Sequence, residues 1–546
     1  MADAGRVSFQ DNHNTYNQTT QQDSRPAMAE RKNSTPLMPA FMVSAPGKVI
    51  VYGEHAVVYG KAAIAAAISL RSYLLVHFLS KSRRTVSLRF PDISLDHTWC
   101  IDDLPWDIFA TPGKKRSYYD LVTSLDPELI AALQPHLDVV SPDAPEHIRK
   151  IHQSSVTAFL YLFLSLGTTS HPPCVYTLRS TIPIGAGLGS SASIAVCLST
   201  ALLIQIRALS GPHNDQPAAE SALQIERINR WAFVAEMCIH GNPSGVDNTV
   251  ASGGKAVLFQ RIDYTKPPIV LRLNKFPELP LLLVNTRQSR STAVEVAKVG
   301  KLREKHPAIA AHILDAINDI TATAHELISS EDFDEKDPTT LKTLGELASV
   351  NHGLLVALGV SHPKLERIRA LIDHAGIGWT KLTGAGGGGC AITLLRPDAT
   401  IESEHSPISP SFSSDQDYTN SQPISPAAPS NSNSNTNGLI TPPVKKSHKR
   451  TFSRNPILKS LETKLANEGF EQFETTLAGD GVGVLMPAVL MNGSGEEGGE
   501  EIDQGKFLRA EGSEGIEALV GVGVGALGGL REAGGGGRGG WGFWRY

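Results

Sequence analysis

Cysteine is scarce, with five in 546 residues (Cys100, Cys174, Cys197, Cys238 and Cys390), no CxxC pair and no metal-type spacing. The odd count and wide spacing argue against a disulfide scaffold and point to free thiols in a reducing compartment. Long apolar runs are missing too. The stretch "ASIAVCLSTALLIQI" is too short and too polar for the ~20 residues a membrane span needs. Nor is there a basic excess, since the formal charge is −5, which argues against a general nucleic-acid binder. The opening "MADAGRVSFQDNHNTYNQTTQQ" has neither the apolar core of a signal peptide nor an arginine-rich leader. The expectation is a cytoplasmic protein whose partners include neither nucleic acid nor membrane.

What is present is a soluble, mixed composition, 41% hydrophobic and 19% charged, enough for two or three ordinary domains. Residues 1–40 are rich in Asn, Gln, Ser and Thr and are expected to be disordered. From Phe41 on, β-type runs ("RSYLLVHFLS", "TVSLRF", "CVYTLRSTIP") alternate with helical patterns. One of these, "HIRKIHQSSVTAFLYLFLSLG", reads as a long amphipathic helix ending at Gly167. A second block runs from the strand "LPLLLVNT" to the strand "CAITLLR", with helices between them such as "LGELASVNHGLLVALG" and "PKLERIRALIDHAG". Residues 399–455 are Ser/Pro/Asn-rich and read as a disordered insertion. Its Ser-Pro and Thr-Pro steps (Ser406, Ser409, Ser425, Thr441) suit phosphorylation, although an unselected spacer explains them as well. Folded pattern returns over 456–490 as a helix, a turn at Gly469 and strands. The Gly-rich tail, 491–546, is expected to be unstructured.

Between two apolar stretches lies "IPIGAGLGSSASIAV" (Ile182–Val196). Gly187, Gly189 and Ala192 satisfy the dinucleotide expression G-x-G-x-x-A, but the acidic strand end that should follow about 20 residues later is absent. A Walker A loop is excluded, because no Lys-Ser/Thr follows the glycines. A strand, a Gly/Ser loop and a helix start remain. Such a start favours anions through its free amides and dipole. The pair Ser190–Ser191 could cap the helix, face a cation, or both. These residues alone leave a capped turn and a phosphate cradle equally open.

Three further stretches carry chemistry. "SAPGKVIVYGEHAVVYG" holds Lys48 after a Pro-Gly turn, then Glu54 and His55. "WAFVAEMCIHGNPSGVDNTVASGG" holds Glu236 on a helix and Asp247 after a chain reversal. "TKLTGAGGGGCAITLL" sets a glycine run before an apolar strand, which suits very close approach of backbone to backbone or to a ligand. Singly, each has a bland alternative, such as a solvated lysine, a surface carboxylate or a capping aspartate. In this order, together with "PIGAGLGSSAS", they resemble the GHMP kinase superfamily over roughly residues 41–398 and 457–488. The forms "GEHAVVYG" and "EMCIHGNPSGVDN" resemble the branch of that family that phosphorylates mevalonate.

That resemblance implies an α+β, two-domain GHMP kinase fold. The ATP-binding N-terminal domain (41–280) would be like domain 2 of ribosomal protein S5. The C-terminal domain (281–398 and 456–490) would be ferredoxin-like, and the site would lie between the two. It implies ATP- and Mg²⁺-dependent phosphorylation of the primary hydroxyl of mevalonate. Gly185, Ala186, Gly187, Leu188, Gly189, Ser190 and Ser191 would cradle the triphosphate, with Lys48 and Ser180 as further nucleotide contacts. Ser191 and Glu236 would hold Mg²⁺. Asp247 would be the base and Lys48 the electrostatic stabiliser. An aspartate is too weak to ionise an alcohol outright, but it accepts the proton late, once the oxygen is bonding to phosphorus. Glu54, His55, Asp247 and Thr292 would line the mevalonate pocket. Asp92 stands where relatives often carry asparagine, and a carboxylate beside phosphates is unfavourable. Feedback inhibition by prenyl diphosphates and a homodimer are also implied. Rival readings are a kinase for phosphomevalonate or another small alcohol, a non-enzymatic relative that kept the fold, and a Rossmann oxidoreductase.

Overall fold

A computed structural model describes residues 38–80, 83–213, 215–263, 268–334, 337–397, 456–490, 500–520 and 540–546. The expected disordered extension and the 399–455 insertion, with its Ser-Pro and Thr-Pro steps, fall outside the described residues, apart from residues 38–40.

Two sheets organise the fold. The first has nine strands: β1 (Phe41–Tyr52), β2 (Ala62–Phe78), β3 (Thr85–Phe90), β4 (Leu95–Cys100), β5 (Cys174–Ser180), β6 (Ala256–Gln260), β7 (Ile269–Leu273), β12 (Gly483–Leu485) and β15 (Gly542–Phe543). Its main path runs β15-β12-β1-β2-β5-β3-β4, with β6 branching from β2 and carrying β7. Helices α1 (Trp106–Phe109), α2 (Pro127–Asp138), α3 (Glu146–Leu166), α4 (Ser190–Gln205), α5 (Ala218–His240) and α6 (Val246–Gly253) belong to this lobe. α4 is apolar all round because it is central. It packs on β1, β2, α3, α5 and α6, and is buried almost continuously from Ala192 to Ile204.

The second sheet takes β8 (Pro280–Asn285), β9 (Gly378–Leu382), β10 (Cys390–Leu395) and β11 (Glu471–Thr476) in the order β11-β8-β10-β9, all antiparallel. In strand order this is 4-1-3-2, the ferredoxin-like arrangement that the resemblance implies. β8 reads "PLLLVN" because both of its neighbours are strands and both of its faces are buried. Four helices lie between β8 and β9, namely α7 (Thr292–Lys305), α8 (Pro307–Ser329), α9 (Pro338–Ala357) and α10 (Pro363–Ala375). A helix over Pro456–Asn467 leads into β11. The remaining strands, β13 (Val489–Leu490) and β14 (Glu500–Glu501), pair with each other.

Two expectations need correction. The strand at 483–485, assigned to the second domain, pairs instead with β1 of the first sheet. The tail expected to be unstructured from 491 is ordered over 500–520 and 540–546. Its glycine content hides a few large apolar groups. Phe507, Ile516, Trp541 and Trp544 are all buried, and Trp541 lies edge-on to Tyr73 at 6.3 Å. The Trp541 indole donates to the Val520 carbonyl at 2.8 Å, and that of Trp544 donates to Gln224 at 3.0 Å. Aromatic groups of this size each bury a large apolar area, enough to order a short glycine-rich segment.

Candidate active site

The glycine loop sits between β5 and α4. Gly185, Gly187 and Gly189 have φ of 74°, 78° and 72°, the left-handed region that glycine adopts without strain. Gly189 is the N-cap of α4 and makes no side-chain cap, so Ser190 is already the first helical residue. The question left open by the sequence is thereby answered in part: Ser190 does not cap the helix. The first-turn amides of α4 lack intrahelical partners, which leaves the loop suited to an anion. The Lys48 amide donates to the Leu188 carbonyl at 2.8 Å, tying the bulged part of β1 to this loop.

Four of the sequence candidates converge here. Lys48 Nζ lies 3.3 Å from Asp247 Oδ1. A Cβ on Gly189 would lie 3.0 Å from Lys48 Cγ and 3.5 Å from Asp247 Oδ2, so the pair lies against the loop. Asp247 is held in the first turn of α6, and its neighbour Asn248 donates to the Asn229 side chain of α5 at 2.6 Å. The Ser191 hydroxyl donates to Glu236 Oε2 at 3.4 Å and lies 3.1 Å from His240 Nε2. Burial, reinforced by the Asp247 charge, pushes the Glu236 carboxyl up to about 8. Its Oε1 is buried and has no hydrogen-bond partner among the described residues.

Lys48, Asp247, Ser191 and His240 line a cavity of about 760 Å³ to which both lobes contribute, and Glu236 lies buried behind Ser191. That volume falls within the range of ordinary ligand pockets. Leu88, Phe90, Ile93, Ala158 and Leu178 make an apolar limb on one side. Glu54, His55, Arg290, Thr292, Gly384 and Ala385 lie along the other. His55, with φ of 61°, places Nε2 2.9 Å from the Ala385 carbonyl. Nε2 is therefore the donor, and burial pulls the ring below its ordinary range, so Nδ1 remains as an acceptor.

Other candidates sit elsewhere. Ser180 is not among the lining residues, and its hydroxyl meets Ser72 at 3.1 Å and accepts from the Ile182 amide at 3.2 Å. Ala186 is buried, and its carbonyl accepts from Arg290 at 3.1 Å. Asp92 turns to Arg179 (2.9 Å) and the Ser180 amide (2.8 Å), so its charge is compensated and it does not line the cavity. Arg179 in turn donates to the carbonyls of Phe507, Leu508 and Ala510 in the ordered tail.

The sequence reading passed over four groups. His240 stands one turn beyond Glu236, where i,i+4 spacing puts both on one helix face. Arg290, two residues before Thr292, lies against both glycine loops, and a Cβ on Gly187 would collide with its guanidinium. Its Nη1 is buried without a hydrogen-bond partner among the described residues. Lys381 and Asn351 both contact Glu54. His240 and Arg290 stand close in sequence to the candidates Glu236 and Thr292, whereas Lys381 and Asn351 meet Glu54 across 327 and 297 positions.

Fold and loops together define the class. Family models for the GHMP kinases match here, the N terminal domain over residues 154–254 and the C terminal one over 331–406. The chain is 60% identical to mevalonate kinase erg12 of Aspergillus fumigatus, covering 96% of this chain and 85% of that protein. It is 60% identical to mevalonate kinase of Gibberella zeae, covering 94% of this chain and 89% of the relative. A solved structure, mevalonate kinase of Methanococcus jannaschii, aligns with TM-score 0.49 and 19% identity over 80% of this chain and 98% of that one. The chain belongs to the mevalonate kinase family of GHMP kinases, which are ATP-dependent phosphotransferases. No described helix is long and apolar enough to cross a membrane.

Proposed function

We propose that the chain transfers the terminal phosphoryl group of ATP to the primary hydroxyl of mevalonate. The observation that carries this reading is the meeting of Lys48, Asp247, Ser191 and Glu236 at the start of α4, beside a cavity large enough for both substrates. The glycine loop and the free amides of α4 receive the triphosphate, and the apolar limb beside them suits the base. The same limb, next to a phosphate loop, also fits a prenyl diphosphate competing with ATP.

Phosphoryl transfer asks the protein mainly for positioning and charge compensation. Asp247 accepts the hydroxyl proton as the oxygen bonds to phosphorus, and Lys48 faces both that carboxylate and the charge developing on the phosphates. Ser191 and Glu236 fit a Mg²⁺ ion. They offer two hard oxygen donors, and the unpartnered, buried Glu236 Oε1 is a carboxylate oxygen in need of a cation. When bound, the ion neutralises triphosphate charge. Two protein ligands are enough for Mg²⁺ in such sites, so the lack of a larger acidic cluster among the described residues is no conflict. Arg290 supplies a counter-charge for the substrate carboxylate. Glu54, His55 and Thr292 face its remaining oxygens.

The test is ADP release by the purified chain with Mg-ATP and mevalonate, with the product identified by mass. Galactose, homoserine and phosphomevalonate are expected to give none. Absence of turnover with mevalonate would end the reading.

A further inference from the structure

Behind the cavity wall lies a second lysine–carboxylate pair, which the proposed phosphoryl transfer does not use. Glu54 is wholly buried, yet it contributes to the cavity lining. Gly53, with φ of 93°, and His55, with φ of 61°, turn the chain sharply on either side of it. Lys381 Nζ pairs with Glu54 Oε1, and the Asn351 amide donates to Glu54 Oε2 at 2.9 Å. Both partners come from the other lobe, Lys381 from β9 and Asn351 from α9. Lys381 is 1% exposed, and its ammonium also donates to the Leu382 carbonyl at 2.9 Å. Its stem lies among Val51, Tyr52, Leu344, Ala348 and Ile392.

A lysine in such surroundings is costly. A buried ion pair is often matched or bettered in stability by apolar residues of similar volume. Stability alone therefore does not account for a charge at 381. The geometry offers another reason. A carboxylate has about four acceptor positions, and Lys381 and Asn351 occupy only one on each oxygen. The remaining lone pairs belong to a group that contributes to the cavity wall.

We propose that Lys381 and Asn351 are positioning residues, which grip the Glu54 carboxylate from the second lobe so that it stays aimed as an acceptor for a hydroxyl of the bound hydroxy-acid substrate. This rests on reading the cavity as the kinase's acceptor site. A carboxylate of the substrate would be repelled at this position, so the grip also sets orientation. The tertiary hydroxyl of the substrate meets Glu54, its primary hydroxyl faces Asp247, and its carboxylate goes to Arg290. Burial pulls the Lys381 ammonium below its ordinary range while Glu54 opposes that pull, in keeping with a charge retained only through its partner.

Steady-state kinetics on Lys381→Met, Asn351→Ala, Glu54→Gln and Glu54→Gln/Lys381→Met test this, alongside the Kd of a fluorescent ATP analogue. Lys381→Met is expected to raise KM for mevalonate by about tenfold or more, with the analogue's Kd changing less than about threefold. Asn351→Ala should move KM the same way by less. The double variant should bind mevalonate no worse than Glu54→Gln alone, because Lys381 acts through Glu54. An unchanged mevalonate KM in Lys381→Met overturns the proposal. So do losses that multiply in the double variant, or an analogue Kd that rises in step with KM. Should Lys381→Met fail to fold, the double variant, which leaves no lone buried charge, and Asn351→Ala decide on the same criteria. Wild-type turnover of mevalonate with unaltered variants would overturn the grip alone. A wild-type enzyme inactive on mevalonate would instead overturn the site reading.

Discussion

Lys48 with Asp247 and Lys381 with Glu54 are the same chemical pair in two settings, the first lining the cavity through both members and the second through Glu54 alone. The first is 9% and 33% exposed with a 3.3 Å separation, while the second is 1% and 0% exposed. Asp247 and Glu54 are both among the residues that line the cavity. The difference is what surrounds them. Asp247 sits in the first turn of a short helix beside a glycine loop, where the proposed reaction would bring the substrates together. Glu54 is gripped through both oxygens by groups from a second lobe. A carboxylate near solvent can take up a proton late in a reaction, whereas one that is buried and doubly bonded is fixed as an acceptor. On the proposed reading, burial and partner count, more than residue type, separate the reacting pair from the positioning pair.

The sharpest way to break this comparison is Asp247→Asn. Turnover should fall by roughly 10²–10⁴ while ATP binding stays, as expected for loss of a general base. Loss of nucleotide binding in that variant would make Asp247 structural. Cutting the buried pair on one side, as in Glu54→Leu, should cost about 3–5 kcal/mol of stability, read from denaturant midpoints, because it strands a buried charge. The Lys48–Asp247 pair, open to the cavity, should respond the opposite way. Lys48→Met should slow turnover by up to the ~4 kcal/mol that a unit charge provides at about 4 Å and an effective dielectric of ~20. The same change should alter stability by no more than about 1 kcal/mol. A Lys48 variant that is fast but unstable would erase the distinction.

A smaller effect concerns pH. The folded value of Glu236, about 8, lies above its ordinary 4.5, so the native state keeps a proton that the unfolded chain has released. Stability should therefore fall as pH rises through this window, by up to about 2 kcal/mol between pH 6.5 and 8. His55 and His171 work in the opposite sense, since burial holds both below 6.5, and their contribution is complete by then. Denaturant midpoints of wild type and Glu236→Gln across that range check it, with the variant flat. Saturating Mg²⁺ with ATP should flatten the wild type as well, by favouring the ionised carboxylate.

Much of the site was legible because its parts are local. The glycines at 185, 187 and 189 announce positive φ, and Glu236 and Asp247 fall within one short motif. The second glycine run was legible in kind only. Its glycines all have positive φ, and most meet side chains: a Cβ would strike Glu295 at Gly387, Gln288 at Gly388 and Arg290 at Gly389, while at Gly386 it would strike the Val360 carbonyl. The tail was misread because composition averages out a few tryptophans that find a binding surface. Asp92 was questioned for its charge, and the missing fact was Arg179 standing beside it.

By itself the sequence determined the loops, the helix starts, the order of the strands along the chain and the kinase family. Those are properties of short windows, set by φ preferences and by the period of apolar residues. Only the tertiary structure decided that β12 joins the first sheet, that Arg290 lies between two glycine loops, and that Lys381 meets Glu54 across 327 positions. Such contacts depend on how two sheets pack, and nothing in either local stretch encodes its distant partner.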